Sequence, residues 1–346
     1  MKWVPLIIWR RNLMKEQLAR AVFKEKLFAT PYYARIPLED RETETVEGWS
    51  IMKPRRFFNS YLKLSKSNLT ALISLTAAGG YLMSPSMVSW SIIPCVAGTA
   101  LLSSSANSIN QFLESPYDAQ MKRTASRLLV THRFTPLRAC TFALLSGILG
   151  TLILWTGCNA STTFLGLLNL FLYVGVYTPL KRHHIFCTWA GAVVGAIPPL
   201  MGYAAAGNLA LPGFVIGALV YFWQFPHFNG LSWALRGEYT RAGYRVMCVL
   251  DERLCKASSL RNTIALIPLC SLAAPLSGLT SWTFALDSLP LNLYFAYLAL
   301  RFYRNADSKS SHSLFMYSLL YLPLVFVVMF MSRLEVNKLS DPFIRP

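Results

Sequence analysis

The stretch NSINQFLESPYDAQMKRTASR, residues 107–127, sets acidic and basic side chains at the end of a long apolar run. Asn110, Glu114 and Asp118 repeat in it at four-residue spacing. On a continuous helix, a step of four residues turns the side chain by only about 40°, so these three oxygen-bearing groups would share one face. The alternative is a helix end with ordinary solvated charges. Ionisable groups at membrane depth favour a functional site.

Pro116 interrupts this pattern. Because proline lacks a backbone donor and disfavours helix for Ser115, we expect a kink or a new helical turn between Glu114 and Asp118. Carboxylates repel a bare phosphate group but can hold one through Mg²⁺, which is usually bound by one or two carboxylates plus substrate phosphates. Neighbouring arginines such as Arg127 can bind the remaining phosphate oxygens by charge-assisted hydrogen bonds.

The composition of the chain is that of an integral membrane protein. Of its 346 residues, 54% are hydrophobic and 14% charged, whereas soluble domains have about 25% charged residues. Apolar runs near the length of a bilayer crossing predict an all-α polytopic bundle of about nine transmembrane helices around a central cavity. The predicted spans are 67–84, 88–113, 136–156, 162–180, 189–207, 211–234, 261–281, 284–302 and 314–332.

The net charge of +17 reflects cations that crowd into alternate loops. This arrangement indicates membrane orientation rather than nucleic-acid binding. The basic loops predict one inner face, shared with the N-terminus: Lys122 to Arg138, Lys181 to His184, Arg236 to Arg261 and Arg301 to His312. Every candidate chemical residue lies on that face.

The chain ends flank a predicted membrane domain at 67–333. Residues 1–66 begin with a basic, partly amphipathic segment typical of mitochondrial import sequences, followed by acidic and basic patches that predict a solvated, poorly ordered lead-in. Residues 334–346 form a predicted C-terminal tail. The seven cysteines contain no CxxC pair and lie mostly in or beside apolar runs, so they are interpreted as small buried hydrophobes.

A second polar cluster, YTPLKR, follows the predicted fourth span. Lys181 and Arg182 could close over an anionic substrate, with Tyr177 about one turn deeper. The alternative is an interfacial anchor, since tyrosine and basic residues are enriched at the ends of any membrane helix.

The run GAVVGAIPPLMGY is interpreted as scaffold. Gly191 and Gly195 form a GxxxG face that allows close helix packing. Pro198 and Pro199 are expected to kink or break the helix and free backbone carbonyls near a cavity or a neighbouring helix.

The third polar cluster is WQFPHF followed by RGEY. His227 lies well inside an apolar run, where a histidine is a hydrogen-bonded structural group, a haem-iron ligand or a proton carrier. Glu238, between Arg236 and Arg241, is a candidate second metal carboxylate or, alternatively, half of a loop salt bridge.

Together the three clusters resemble the protohaem IX farnesyltransferase (haem O synthase) family, of the UbiA-like membrane prenyltransferase superfamily. The matches are SANSINQF with Asp118 and MKRT, then YTPLKR, TWAGAVVGAIPPLMGY, and WQFPHF with RGEY. The resemblance runs from about Ser65 to the last span. It departs from the family pattern at Glu114 (aspartate in the superfamily), Leu128 (commonly part of Arg-Pro) and Gly237 (acidic).

The resemblance implies farnesyl transfer from farnesyl diphosphate to a vinyl group of haem B, giving haem O. It implies Mg²⁺ as cofactor, held by Asn110, Glu114, Asp118 and Glu238, and His227 as the haem contact. Lys181 and Tyr177 would join the motif residues in catalysis. The diphosphate would be neutralised by cations that include Lys181 and the following residues: Lys122, Arg123, Arg127, Arg182 and Arg236.

The same resemblance implies a place and partners in the cell. The protein is expected in the mitochondrial inner membrane with its site facing the matrix, and possible partners are haem A synthase or cytochrome c oxidase assembly factors. Nucleic acid is not expected. Three alternatives stay open: a quinone-precursor prenyltransferase, a transporter or haem carrier, and a non-catalytic assembly scaffold.

Overall fold

A computed structural model describes residues 45–46, 49–50 and 54–340, with side chains from residue 58 to residue 333. The chain divides into two compact units, Met1–Lys53 and Pro54–Pro346. In the first unit, the described part is a hairpin of β1 (Thr45–Val46) and β2 (Trp49–Ser50), which pair antiparallel. The predicted import segment lies outside the described residues.

In the described part of the second unit, every regular element is a helix, as the apolar runs predict. Two of its helices contain a π-helical segment. The elements are α1 (Pro54–Leu64), α2 (Ser67–Leu82), α3 (Ile92–Asp118), α4 (Pro136–Gly157), α5 (Ala160–Phe171), a first π segment (Leu172–Tyr177), α6 (Thr178–His183), α7 (Cys187–Ala206), α8 (Leu211–Ala234), α9 (Arg236–Arg241), α10 (Met247–Leu250), α11 (Glu252–Pro268), a second π segment (Leu269–Ala273), α12 (Ala274–Leu276), α13 (Thr283–Asn305) and α14 (Ser308–Ser340).

Each predicted span coincides with one long helical segment of the described chain. By length and hydropathy, six of these segments are candidate membrane spans: Ile92–Asp118, Pro136–Gly157, Ala160–His183, Cys187–Ala206, Glu252–Leu276 and Ser308–Arg333. Helix α2 has only 16 residues, and α8 and α13 carry polar side chains within their length. The all-helical class is therefore confirmed, while a count of nine crossings stays a prediction.

Helices α2 and α7 touch through their backbones. A Cβ atom on Gly80 would lie 2.0 Å from the Pro199 carbonyl oxygen, and one on Gly202 would lie 1.8 Å from the Ala77 carbonyl oxygen. Only glycine permits such an approach. Helix α7 runs without a break through Pro198 and Pro199, so the expectation of a break is wrong and that of a kink stays a prediction. The Pro199 carbonyl lies directly against α2.

Helix α3 is also continuous, which corrects the expectation of a new helical turn at Pro116. The helix extends from Ile92 to Asp118 with Pro116 inside it. Because Pro116 lies two residues from the end of the helix, its missing donor costs one hydrogen bond of the last turn, which the helix tolerates.

The sequence predicts a poorly ordered segment up to residue 66, but residues Pro54–Leu64 form helix α1, so the prediction is wrong for this part. Leu64 is fully buried in a cluster with Leu128, Leu129 and Phe134, and Tyr61 packs against it. Leu128, the position that departs from the family pattern, is thus a packing residue. The gain from burying these side chains explains why a charge-rich stretch is helical here.

The larger hydrophobic core lies among α8 to α14. It is rich in aromatic side chains, with Phe225, Phe295, Phe302 and Tyr321 all fully or almost fully buried. A separate open groove of about 450 Å³ runs between α2 and α3, lined by residues such as Ser65, Thr70 and Ala78. The predicted central cavity stays a prediction.

Candidate functional site

The polar face of α3 is buried at its C-terminal end. Asn110, Glu114 and Asp118 are between 1% and 3% exposed. Because successive members are four residues apart on one continuous helix, they line a single face, as the spacing predicts. Buried carboxylates need partners of opposite charge, since an isolated buried charge is very costly.

Each of these three residues is paired with a cation from a different segment. The Lys66 Nζ donates to Asn110 Oδ1 at 2.8 Å, and the Lys181 Nζ donates to Glu114 Oε1 at 2.9 Å. A guanidinium nitrogen of Arg127 forms an ion pair with the Asp118 carboxylate. We call these six residues the charged cluster.

Lys66 reaches the cluster from the junction of α1 and α2. Its backbone adopts the left-handed conformation, with φ of 50°, which is uncommon for a residue with a side chain. Burial, reinforced by the nearby Arg127 guanidinium, lowers the pKa of Lys66 to about 7. Sequence reasoning missed this residue because it lies in a basic patch interpreted as solvated. The available signal was its position immediately before the first apolar run.

The first π segment positions the side chains of the YTPLKR motif. The Thr178 hydroxyl donates to the Tyr173 carbonyl at 2.8 Å and accepts from Asn110 Nδ2 at 3.1 Å. This contact anchors the start of α6 against α3 and places Lys181 beside the Glu114 carboxylate. Gly191 makes room for Tyr177, because a Cβ atom there would lie 2.9 Å from the Tyr177 ring.

Tyrosine rings contact Lys181 of the charged cluster and the neighbouring Arg182. The Lys181 Nζ lies 5.0 Å from the centre of the Tyr177 ring and 5.5 Å from that of Tyr244. The Arg182 guanidinium stacks over the Tyr117 ring at 4.0 Å. Such contacts stabilise a cation by about 0.5–2 kcal/mol each. Sequence reasoning missed Tyr244; the preceding Gly243, with φ of 73°, marks the turn that delivers it.

The basic loop after α3 contacts the RGEY segment. A carboxylate oxygen of Glu238 accepts a hydrogen bond from the Arg123 backbone nitrogen at 3.5 Å. Among the described side chains, no three histidine, cysteine or carboxylate groups converge as metal ligands do. The structure thus brings Glu238 to the loop beside the cluster without joining it to Glu114 and Asp118. The side chains of Lys122 and Arg123 are exposed.

Arg236 lies apart from the charged cluster. Its guanidinium forms an ion pair with Glu252, and both side chains are about half exposed. It also stacks over the Trp233 ring at 5.0 Å. Arg236 was predicted to bind the diphosphate, but in the structure its guanidinium is paired with Glu252, which lies outside the charged cluster.

His227 occupies a neutral, aromatic environment on α8. Its Nδ1 shares a hydrogen bond with the Ser318 hydroxyl at 2.8 Å. The ring stacks on Trp223 with centroids 4.5 Å apart and lies 5.1 Å from Phe315. The indole nitrogen of Trp223 donates to the Ser318 carbonyl at 2.8 Å. We call these four residues the histidine cluster.

Comparisons with known proteins show the family and the fold. The UbiA prenyltransferase family profile matches residues 70–326. The chain is 47% identical over 84% of its length to "Protoheme IX farnesyltransferase, mitochondrial" of Homo sapiens, covering 66% of that protein. It is 42% identical over 76% of its length to the protein of the same name from Yarrowia lipolytica, covering 55% of it. The chain thus spans about two thirds or less of these curated relatives.

Solved structures show the same fold at low sequence identity. A digeranylgeranylglyceryl phosphate synthase superposes with a TM-score of 0.70 at 12% identity, over 81% of this chain and 99% of that one. A UbiA homologue from Archaeoglobus fulgidus bound to DMAPP and Mg²⁺ superposes with a TM-score of 0.59 at 13% identity, over 78% and 99%. On the profile match and the shared fold, this chain belongs to the UbiA prenyltransferase family.

Proposed function

We propose that this chain transfers a farnesyl group from farnesyl diphosphate to a vinyl group of haem B, giving haem O. The observation that carries the proposal is the charged cluster, in which buried carboxylates and cations meet at the basic-loop end of the bundle. The names of the mitochondrial relatives supply the substrates. A quinone-precursor prenyltransferase with the same diphosphate chemistry is the alternative that the experiment must exclude.

The donor set of the charged cluster suits Mg²⁺. Glu114 and Asp118 offer two buried carboxylates one turn apart, and Asn110 offers an amide oxygen. Magnesium is commonly held by one or two carboxylates together with substrate phosphates. Bound there, Mg²⁺ would neutralise charge on the diphosphate oxygens and so favour departure of the leaving group.

The cations of the charged cluster can bind the diphosphate of the substrate. Lys181 and Arg127 pair with Glu114 and Asp118 in this structure. We propose that they turn to the diphosphate and donate charge-assisted hydrogen bonds to its oxygens, where negative charge increases as the carbon–oxygen bond breaks. Arg123 and Arg182, which are both exposed, are the further cations proposed to bind the diphosphate.

Bond cleavage releases diphosphate and leaves an allylic cation on the farnesyl chain. The haem vinyl group attacks this carbon to form a carbon–carbon bond, and water then adds to the resulting haem-side cation with loss of a proton. The rings of Tyr177 and Tyr244, which already face the Lys181 ammonium, would stabilise the allylic cation by cation–π attraction. Exclusion of water until the first bond has formed prevents hydrolysis of the cation.

His227 is the proposed haem contact. With Nδ1 engaged by Ser318, its other ring nitrogen, Nε2, would face the iron, since the bond at one nitrogen sets the tautomer of the ring. Trp223 and Phe315 flank the imidazole and offer flat apolar surfaces to a porphyrin.

The proposed location is the mitochondrial inner membrane, with the charged cluster on the matrix side. The basic loops at that end support this orientation under the positive-inside rule. Haem A synthase or cytochrome c oxidase assembly factors are the proposed partners, as consumers of the product.

A product assay tests the proposal. Purified protein in detergent receives haem B, farnesyl diphosphate and Mg²⁺, and the products are separated by chromatography and identified by mass. We expect haem O, and no haem O after addition of a chelator. Prenylation of a hydroxybenzoate in place of haem would establish the alternative. Absence of both products would overturn the enzymatic assignment.

A further inference from the structure

Two cysteine side chains meet at the end of the bundle opposite the charged cluster. Cys95 lies in the first turn of α3 and Cys158 directly follows α4. Cys158 packs against the buried cluster of Tyr81, Cys95 and Ala205, and the Ser91 carbonyl accepts a hydrogen bond from the Cys95 backbone nitrogen at 3.1 Å. In the described residues all seven cysteines are free. This pair comes from positions far apart in sequence, so the fold itself brings the two sulfur atoms together.

The backbone around the pair is closely packed. A Cβ atom on Gly157 would lie 2.4 Å from the Cβ of Pro94, the residue before Cys95. The Cys158 thiol also donates to the Ser91 carbonyl, with a sulfur–oxygen distance of 3.6 Å. These contacts hold the chain segments that carry Cys95 and Cys158 directly against each other, and a disulfide forms only between cysteines that are held this close.

The two thiols differ in access. Cys95 is fully buried, whereas Cys158 is partly exposed. The hydrogen bond from Cys95 lowers the pKa of the Cys158 thiol. An accessible thiol with a greater thiolate fraction reacts first with an oxidant.

We propose that Cys95 and Cys158 form a reversible disulfide that clamps the N-terminal end of α3 to the C-terminal end of α4. The oxidant is a low-molecular-weight disulfide. The Cys158 thiolate attacks it, forms a mixed disulfide and releases one thiol. Cys95 then attacks the Cys158 sulfur and releases the second thiol, so two protein thiols are oxidised and one oxidant disulfide is reduced to two thiols. The inference does not depend on the proposed function.

Thiol counting tests this proposal on the full-length protein in detergent. After treatment with oxidised glutathione and then denaturation, the thiols that remain are labelled with maleimide and counted by intact mass. We expect no label on Cys95 or Cys158, while glutathione taken up by the exposed Cys140 is counted separately by its added mass. Digestion without reductant should yield a peptide pair linking Cys95 to Cys158, and dithiothreitol should restore all seven.

Variants separate this pair from the other cysteines. In Cys95→Ser, glutathione should remain attached to Cys158, because the thiol that would displace it is gone. In Cys248→Ser, the matched buried control, the Cys95–Cys158 bridge should still form. Seven labelled thiols, a bridge to another cysteine, or glutathione retained on Cys158 in the unaltered chain would each overturn the proposal.

The clamp also has a measurable effect on stability. Closing the loop between residues 95 and 158 restricts the unfolded chain, so the oxidised protein should unfold at a higher temperature, and reductant should reverse the shift. An unchanged unfolding temperature with the bridge formed would contradict the clamping role.

Discussion

The charged cluster and the histidine cluster both bury polar groups among the helices, but they differ in the partners that stabilise those groups. In the first, Glu114 and Asp118 are balanced by the cations of Lys181 and Arg127. In the second, the His227 imidazole needs one neutral hydroxyl, that of Ser318, and two aromatic faces. The charged cluster is stabilised by ion pairs, and the histidine cluster by one hydrogen bond and aromatic stacking.

This difference determines how each cluster responds to change. Removing one charge from the first leaves a buried ion without its partner, which costs several kcal/mol. Removing the imidazole from the second leaves the Ser318 hydroxyl still bonded to the Phe315 carbonyl, so the loss is that of one hydrogen bond, about 0.5–1.5 kcal/mol. The first cluster suits a metal ion and a diphosphate, and the second suits a flat, largely apolar ring.

The largest effect is expected for Asp118→Asn. The change removes a proposed metal ligand and leaves the Arg127 guanidinium without its carboxylate. Turnover should fall by about 1,000-fold, the upper range for loss of a charge-stabilising group in an active site, and the rate of haem O formation measures it. Glu252→Gln is the matched control, because Glu252 also pairs with an arginine but is about half exposed. Equal losses in both variants would refute a special role for the charged cluster.

The next largest effect is expected for Lys66→Met. The ammonium that donates to Asn110 would be lost, and turnover should fall by about 10- to 100-fold, as for other groups that orient ligands. The Mg²⁺ concentration for half-maximal rate should also change, since this cation competes for the same buried oxygens. Lys63→Met, at an exposed position on the same turn, is the control. Normal kinetics in Lys66→Met would exclude Lys66 from the site.

A smaller and separable effect is expected for His227→Phe. Haem binding, followed by the shift of its absorption band, should weaken by about 10-fold, in keeping with loss of one hydrogen-bonding group among aromatic contacts. Binding of farnesyl diphosphate with Mg²⁺ should be unchanged. If diphosphate binding weakens as much as haem binding, the two clusters are not separate sites.

The smallest effect is expected for Glu238→Gln. Its carboxylate accepts one long hydrogen bond from the Arg123 backbone and is not joined to the other carboxylates. Turnover should fall by about 2- to 5-fold, the scale of partly exposed electrostatic contacts. A loss as large as that of Asp118→Asn would make Glu238 a metal ligand on a par with Asp118.

Local patterns in the sequence predicted much of the fold. Apolar runs identified the helical segments, because crossing a bilayer demands about 20 apolar residues whatever the neighbours are. The spacing of Asn110, Glu114 and Asp118 likewise predicted one shared face. The new helical turn expected at Pro116 is absent, because the effect of a proline depends on its distance from the helix end, whereas the expected kink stays a prediction.

The partners within the site could not be predicted in this way. Lys66 and Tyr244 lie far from α3 in sequence and reach it only through the packing of α2 and the turn after α9. The periodicity of a sequence does not indicate which loop packs against which helix. For the same reason, the contact between His227 and Ser318 could not be predicted, because the two residues are 91 positions apart.

The backbone contact between α2 and α7 has a mechanical consequence. Because Gly80 meets Pro199 and Gly202 meets Ala77 with no side chain between them, we expect the two helices to move together. A bilayer thinner than the apolar length of α7 favours a tilt of that helix. We expect such a tilt to carry α2 with it, and with α2 the Lys66 residue at its N-terminal end, so that membrane thickness alters the geometry of the charged cluster.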